Sequence, residues 1–255
     1  MTELSLPFAV PGARIYGTRT SGNWATQPGR MDTCNARILF GRTGKYGIPA
    51  LEPCDYTPTM LAAWHDPHGR TEAAETGGAI HFFIDDYRFE RVWTKPDAAF
   101  ERVDHVGAAL TPDFSMWRDM PPAMKIWQTY RSRWCGAYWQ YHGIEVIPNA
   151  VWSTPESYEW CFEGLPENST LAISTVGVRD AYTTELFLAG LAALEERIGP
   201  RLLLSYGPMP AGATTIPVRE YPTFWQNRRP PRKAAPQQTT TDAGKQPQDV
   251  PLWED

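Results

Sequence analysis

Between Ile48 and Ser205 the chain repeats one rhythm: a short apolar run ending in polar residues, then a segment with helix start and stop signals. Six steps can be read, with strand runs at Ile48–Pro53, Ala79–Ile84, Val106–Leu110, Ile144–Pro148, Thr170–Ser174 and Arg201–Ser205. A strand that leaves through a helix re-enters its sheet in the same direction, so the rhythm demands parallel pairing with right-handed crossovers. The fold class is therefore α/β, a parallel sheet of repeated strand–helix units. Two upstream strand candidates, Ala13–Tyr16 and Arg37–Phe40, raise the count to eight, which favours an irregular TIM-barrel-like closure over an open doubly wound sheet.

The intervening segments carry their own punctuation. Thr94-Lys-Pro-Asp97 opens a helix over Ala98–Val103. Asp119 before Pro121-Pro122 reads as the cap of a long helix that Gly143 stops. Ser153-Thr-Pro-Glu156 reads as a capping box for Tyr158–Phe162, and Thr184–Ile198 places Phe187, Leu191, Leu194 and Ile198 on one face. Thr59–Trp64 reads as a short helix and Asp66–Gly78 as a polar loop. In the long helix Trp127, Tyr130, Trp134, Tyr138 and Tyr141 recur every three or four residues, with Arg131 and Arg133 beside them. That content suits base stacking, but a stripe at helical spacing is more often the face packed on a sheet. Trp139 and Gln140 fall off the stripe and are expected to be exposed.

Residues 1–46 read as an irregular lead-in, 47–225 as a single α/β domain and 226–255 as a disordered tail. The tail begins with Arg228-Arg-Pro-Pro-Arg-Lys233 and continues in Gln, Thr, Pro and Ala, too poor in apolar groups to order itself. The domain needs no staples, because 42% hydrophobic and 13% aromatic content supplies a substantial core. Cys34, Cys54, Cys135 and Cys161 are far apart, form no C-x-x-C pair and read as reduced thiols. Met1–Phe8 lacks the basic start of a signal peptide, and no apolar run approaches the roughly 20 residues that span a bilayer; a cytoplasmic location without a membrane partner is expected. A net charge of −5 gives no global attraction to nucleic acid.

In parallel sheets ligands bind where the carboxyl ends of strands meet the following loops, so polar residues just after apolar runs are the site candidates. Asp85 and Asp86 follow one run and Asp113 the next; they are the candidate catalytic carboxylates, suited to acid–base work or to holding a hydrated Mg²⁺. Strand alternation sends only one of Asp85 and Asp86 toward the cleft unless the backbone turns there. The structural alternative has Asp86 capping Tyr87–Trp93 and Asp113 opening a Pro-Asp turn. Arg88, Ser115, Asn149, Trp152, Ser174, Thr175 and Tyr206 are the candidate binding residues. Ser174-Thr-Val-Gly-Val-Arg179 lies between a strand and a helix, where amides and hydroxyls can hold an anion, although it is no P-loop. The absence of H-E-x-x-H and G-x-S-x-G disfavours a metalloprotease or serine hydrolase.

Read together, Tyr46-Gly-Ile-Pro-Ala50, His81-Phe-Phe-Ile-Asp-Asp-Tyr87, Pro112-Asp-Phe-Ser115, Asp119-Met-Pro121, Gly136-Ala-Tyr-Trp-Gln140, Ile147-Pro-Asn149, Ala172-Ile-Ser-Thr-Val-Gly177 and Ser205-Tyr-Gly207 follow one another as in a known family. Over roughly residues 46–207 the chain resembles the family catalogued as domain of unknown function 4417. The resemblance implies a bacterial, phage or plasmid setting and transfers no activity. Two classes stay open. One is an enzyme using strand-end carboxylates on a nucleotide, nucleic acid or other phosphorylated substrate, by hydrolysis or group transfer. The other is a non-catalytic phage or plasmid factor that binds host protein or DNA through the aromatic helix and Arg228–Lys233.

Overall fold

The structure is a computed structural model, and it describes residues 14–15, 34–35 and 38–228. The remainder of the expected lead-in and the expected tail beyond residue 228 lie outside the described residues. In chain order the elements begin with β1 (Arg14–Ile15), β2 (Ile38–Leu39), β3 (Arg42–Thr43), β4 (Ile48–Pro49), β5 (Leu61–Ala63), α1 (Pro67–Thr76) and β6 (Ala79–His81). There follow α2 (Arg91–Thr94), α3 (Pro96–Val106), β7 (Ala108–Leu110), α4 (Pro122–Tyr141), β8 (Glu145–Ile147), β9 (Thr170–Ser174), α5 (Ala181–Ile198), β10 (Leu202–Tyr206), β11 (Val218–Tyr221) and α6 (Phe224–Arg228). Short 3₁₀ turns stand at Asp86–Arg88 and Pro155–Glu159. The chain divides into two compact units at Thr223/Phe224; in the second, α6 sets the rings of Phe224 and Trp225 edge to face.

The α/β class and the parallel pairing are as expected. One parallel sheet has the order β5-β6-β7-β8 and a second has the order β11-β10-β9. A parallel bridge between Asn149 and Ala172 links them, with Ala150 N–H donating to Ala172 O and Ala172 N–H to Pro148 O, both at 2.8 Å. Among the described residues no backbone ladder closes β11 onto β5; the Tyr221 hydroxyl donates to Pro58 O at 2.6 Å instead.

Several expectations about membership need correction. The two upstream strands pair antiparallel with each other, and β4 pairs antiparallel with β3, so none of them enters the parallel series. Strand β5 falls where a short helix was expected, and α1 where a polar loop was expected. Helix α1 has the right punctuation: Asp66 accepts from the His68 N–H, Pro67 opens it and Gly77 ends it at φ 74°. Of its residues only Ala73 is buried, so no apolar stripe announces it.

Strand alternation sorts the core. Ile80, Ala109 and Val146 face a cluster with Trp134, Trp139 and Val103 of the helices, while Leu171, Ile173 and Leu203 face Phe187, Leu191 and Leu194 of α5. The opposite faces supply Ala79, Leu110, Ile147, Ala172, Leu204 and Tyr206 to one further cluster that draws on both sheets. Helix α4 approaches closely because Gly136 has no Cβ, which would stand 2.6 Å from the Thr111 methyl. Its stripe is core at Trp134 and Tyr138. Trp139 is buried as well, contrary to expectation, and stacks on Phe82 with centroids 5.6 Å apart.

Asp119 does not cap α4, which starts at Pro121-Pro122 without a side-chain cap, and no capping box forms at Ser153. A capping box does form at α5, between Asp180 and Thr183. No disulfide joins the cysteines, and Cys54, Cys135 and Cys161 are buried. Among the described residues no helix is long and apolar enough to cross a membrane.

Candidate functional site

The loops after β6, β7 and β8 carry a connected set of polar side chains. Beyond β8, the Asn149 N–H donates to Thr111 Oγ1 at 2.9 Å, which holds the start of its loop against the end of β7. The Asn149 side chain then donates from Nδ2 to Asp113 Oδ1 at 2.9 Å. Asn149 is only 1% exposed and its Oδ1 has no partner, an acceptor left open in a place where buried polar atoms are normally paired. Asp113 is half-buried, and burial pushes its carboxyl up to about 7; the Asn149 hydrogen bond opposes the rise and the charge of Asp86 adds to it. Asp86 accepts two hydrogen bonds from Ser115, from N–H at 3.0 Å and from Oγ at 2.8 Å. It thus fastens the neighbouring loop instead of capping its own.

Strand β6 turns His81 and Phe83 toward Tyr206 of β10, with ring centroids 4.5 and 4.9 Å from it. The Phe83 N–H donates to His81 Nδ1 at 3.2 Å, so the imidazole carries its proton on Nε2. Burial, with His65 adding, lowers the His81 pKa to about 3, and the ring is neutral at physiological pH.

Helix α4 lies behind these loops and contributes charge. Arg131 pairs with Glu90, stands 3.9 Å over the Phe114 ring and holds Gln128, which donates to Ser115 O at 3.3 Å. Arg133, 2% exposed, donates to the carbonyls of Glu163, Asn149 and Cys161 at 3.3, 3.1 and 3.0 Å; burial lowers its pKa to about 10, still charged at neutral pH. Lys125, also 2% exposed, donates to Arg118 O at 2.9 Å. Neither cation forms an ion pair with a carboxylate among the described residues. Two buried cationic side chains therefore lie beneath the loops without a carboxylate partner among the described residues.

The expected residues thus divide. Asp86 pairs with Ser115 and Asp113 with Asn149, and the charge of Asp86 acts on Asp113. Ser174 and Tyr206 lie opposite one another in the β9–β10 register, and Thr175 Oγ1 donates to Tyr206 O at 3.4 Å. Asp85 and Arg88 do not join them: both are exposed and pair with each other at 3.3 Å. Trp152 packs on α5, its ring centroid 5.5 Å from Phe187, in space that Gly190 leaves open. The anion position read at Ser174–Arg179 is filled by the chain itself, since Ser174 Oγ accepts from Val176 N–H and the Asp180 carboxylate accepts from Thr183 N–H at 2.7 Å. Among the described residues no three His, Cys, Asp or Glu side chains gather as a metal site. Sequence reading passed over His81, although its place on the same strand face as Ala79 and Phe83 was the available signal. Gln128 gave none.

The comparisons with known proteins agree with one another. The profile of the family described as "Domain of unknown function (DUF4417)" matches residues 40–222. The chain is 54% identical over 218 residues to the "Gene 1 protein" of Mycobacterium phage D29, covering 84% of this chain and 81% of that protein. It is 52% identical over 218 residues to the "Gene 1 protein" of Mycobacterium phage L5, covering 84% and 95%. No solved structure matches. With its profile spanning most of the chain and two phage relatives aligned along most of their length, the chain belongs to the DUF4417 family, whose function is unknown.

Proposed function

We propose that this phage-family protein is an enzyme whose general acid–base is Asp113, working at the mouth of a barrel-like parallel sheet on a phosphorylated small molecule. The observation that carries the reading is the Asn149–Asp113 hydrogen bond between adjacent strand ends, beside Asp86 and with the amide oxygen of Asn149 unpartnered. A barrel-like curl is supported by the core cluster drawn from both sheets and by the contacts of His81 and Phe83 with Tyr206 four strands away in sheet order.

A carboxyl titrating near 7 holds a proton for a leaving group and, once ionised, accepts one from an attacking hydroxyl or water. Asn149 Oδ1 accepts a hydrogen bond from the substrate, and the neutral His81 is a donor from Nε2. Lys125 and Arg133, without a carboxylate partner among the described residues, favour an anionic substrate over a neutral one. The alternative of a binding factor using the aromatic helix keeps only part of its stripe at the surface, since Trp134 and Tyr138 are core while Trp127 is 38% exposed. Buried thiols without disulfides support action in a reducing cytosol.

The test is a turnover screen of nucleotides and sugar phosphates with Mg²⁺, read by mass spectrometry, with wild type against Asp113→Asn. Turnover is expected in the wild type, falling as pH rises through about 7 if Asp113 acts as the acid, and absent from the variant. Undiminished turnover in Asp113→Asn would overturn the assignment.

A further inference from the structure

The loops that carry Asp113 and Asn149 continue outward to the walls of a second feature. Trp117, Arg118 and Asp119 from the β7–α4 loop, Thr154 from the loop after β8 and Tyr182 from the first turn of α5 line an open cleft of about 500 Å³. Trp117 is 68% exposed and Tyr182 is 52% exposed, an unusual exposure for two large aromatic side chains on one concave surface. The Arg118 guanidinium stands 5.1 Å from the centre of the Tyr182 ring. The loop is tethered from below: Lys125 of α4 donates to Arg118 O at 2.9 Å, and the Met120 N–H donates to Trp117 O at 3.1 Å. A buried ammonium that holds the loop backbone keeps the cleft shaped before any ligand arrives.

We propose that this cleft is the base-and-phosphate subsite for a mononucleotide, the distal part of the substrate whose reacting end lies at Asp113. The inference rests on the reading of the strand-end site given above. A nucleotide presents a π-face, a phosphate and a ribose diol. The cleft presents exposed aromatic rings for the first, the Arg118 guanidinium for the second, and the Asp119 carboxylate as acceptor for the third. A sugar phosphate would leave the rings unused, and a plain sugar would leave the cations unused. The volume lies within the range of small-molecule sites. A nucleic-acid strand fits less well: among the described residues Arg118 is the only cation lining the cleft and the whole chain carries −5, whereas strand binders lay a basic track along the backbone.

The experiment is equilibrium dialysis of the full chain with AMP, GMP, CMP and UMP in turn, repeated for Trp117→Ala, Arg118→Ala and Asp113→Asn, with a twelve-nucleotide single strand as competitor. The expected result is saturable binding of at least one nucleotide, kept by Asp113→Asn and weakened about ten-fold or more by each cleft variant, a typical loss for a stacking residue. Melting temperatures should not move, since both truncated side chains are exposed. No saturable binding, or equal binding by both cleft variants, would overturn the subsite and leave the case for Asp113 standing. Tighter, strongly salt-dependent binding of the single strand would overturn the mononucleotide in favour of nucleic acid. Nucleotide binding at the cleft combined with full turnover by Asp113→Asn would instead sink the catalytic assignment and keep the subsite.

Discussion

Replacing Asp113 by Asn should stabilise the protein at alkaline pH while removing its chemistry. Unfolded, the carboxyl titrates near 3.8; folded, it titrates near 7. Below pH 3.8 both states are protonated and the folded protein loses nothing by holding the group. As pH rises from 3.8 to about 7 the unfolded chain gives up this proton while the folded chain holds it in a poorly solvated place beside Asp86, so stability falls across that window and levels off above it. The rise from 3.8 to about 7 corresponds to about 4 kcal/mol of preference for the neutral form. Because the side chain is half-buried and water screens part of that, about 2–3 kcal/mol is the reasonable share. Asn is isosteric and its amide oxygen can still accept from Asn149 Nδ2, so the hydrogen bond survives. Thermal melts at pH 4 and pH 8 read the difference: the variant should match the wild type at pH 4 and melt about 5–10 °C higher at pH 8, taking about 2–4 °C per kcal/mol for a domain of this size. A variant that melts lower at pH 8, or an offset that does not change with pH, would refute the reasoning.

Two further outcomes follow from the packing of α4. Arg133→Met should cost about 3–5 kcal/mol in urea denaturation, because it strands the buried carbonyls of Asn149, Cys161 and Glu163, and Arg133→Lys should recover only part, lacking the planar fork. Trp134→Ala should cost a similar about 3–5 kcal/mol, since that ring is 2% exposed and its Nε1 donates to Ile38 O; a loss under about 1 kcal/mol would show that the ring is not core.

What the sequence disclosed depended on how many constraints each segment carried. Thr170–Ser174 was legible to the residue because a purely apolar interior between polar ends has one natural reading, a strand buried on both faces. Strand β5 and helix α1 were not, since Leu61-Ala-Ala63 is too short to show a period and α1 buries one alanine. Strand β11 escaped because Val218-Arg-Glu-Tyr221 keeps its charged residues exposed and has no apolar run to notice. Trp139 was misplaced by an assumption about faces: a stripe predicts one packed side, but α4 is packed on the sheet through Trp139 and Phe82 and is also held by the Ile38 and Phe40 segment through Trp134.

The candidate site was legible only where position along a strand sufficed. Asp86 and Asp113 could be picked because each follows an apolar run, and alternation already warned that Asp85 and Asp86 would part company. The pairing of Asp113 with Asn149 needed the further fact that β7 and β8 are neighbours, which a sequential parallel order makes natural but does not compel. Arg133 could not be read as a site element at all, since its partners are backbone carbonyls of a loop that has no signature. Yet its place follows from the aromatic stripe: with Trp134 fixed between Phe40 and Trp93, the preceding residue turns about 100° around the helix, toward the loop that starts at Asn149. One guanidinium bond then holds the Asn149 carbonyl while the Asn149 side chain holds Asp113. The packing of α4 and the geometry of the carboxylate are therefore coupled through a single residue. For that reason Arg133→Lys is the informative variant for function: if the fold survives, any shift of the pH at which turnover fails would report the Asn149–Asp113 distance, whereas an unchanged pH profile would mean that Thr111 and the bridge to Ala172 position Asn149 without Arg133.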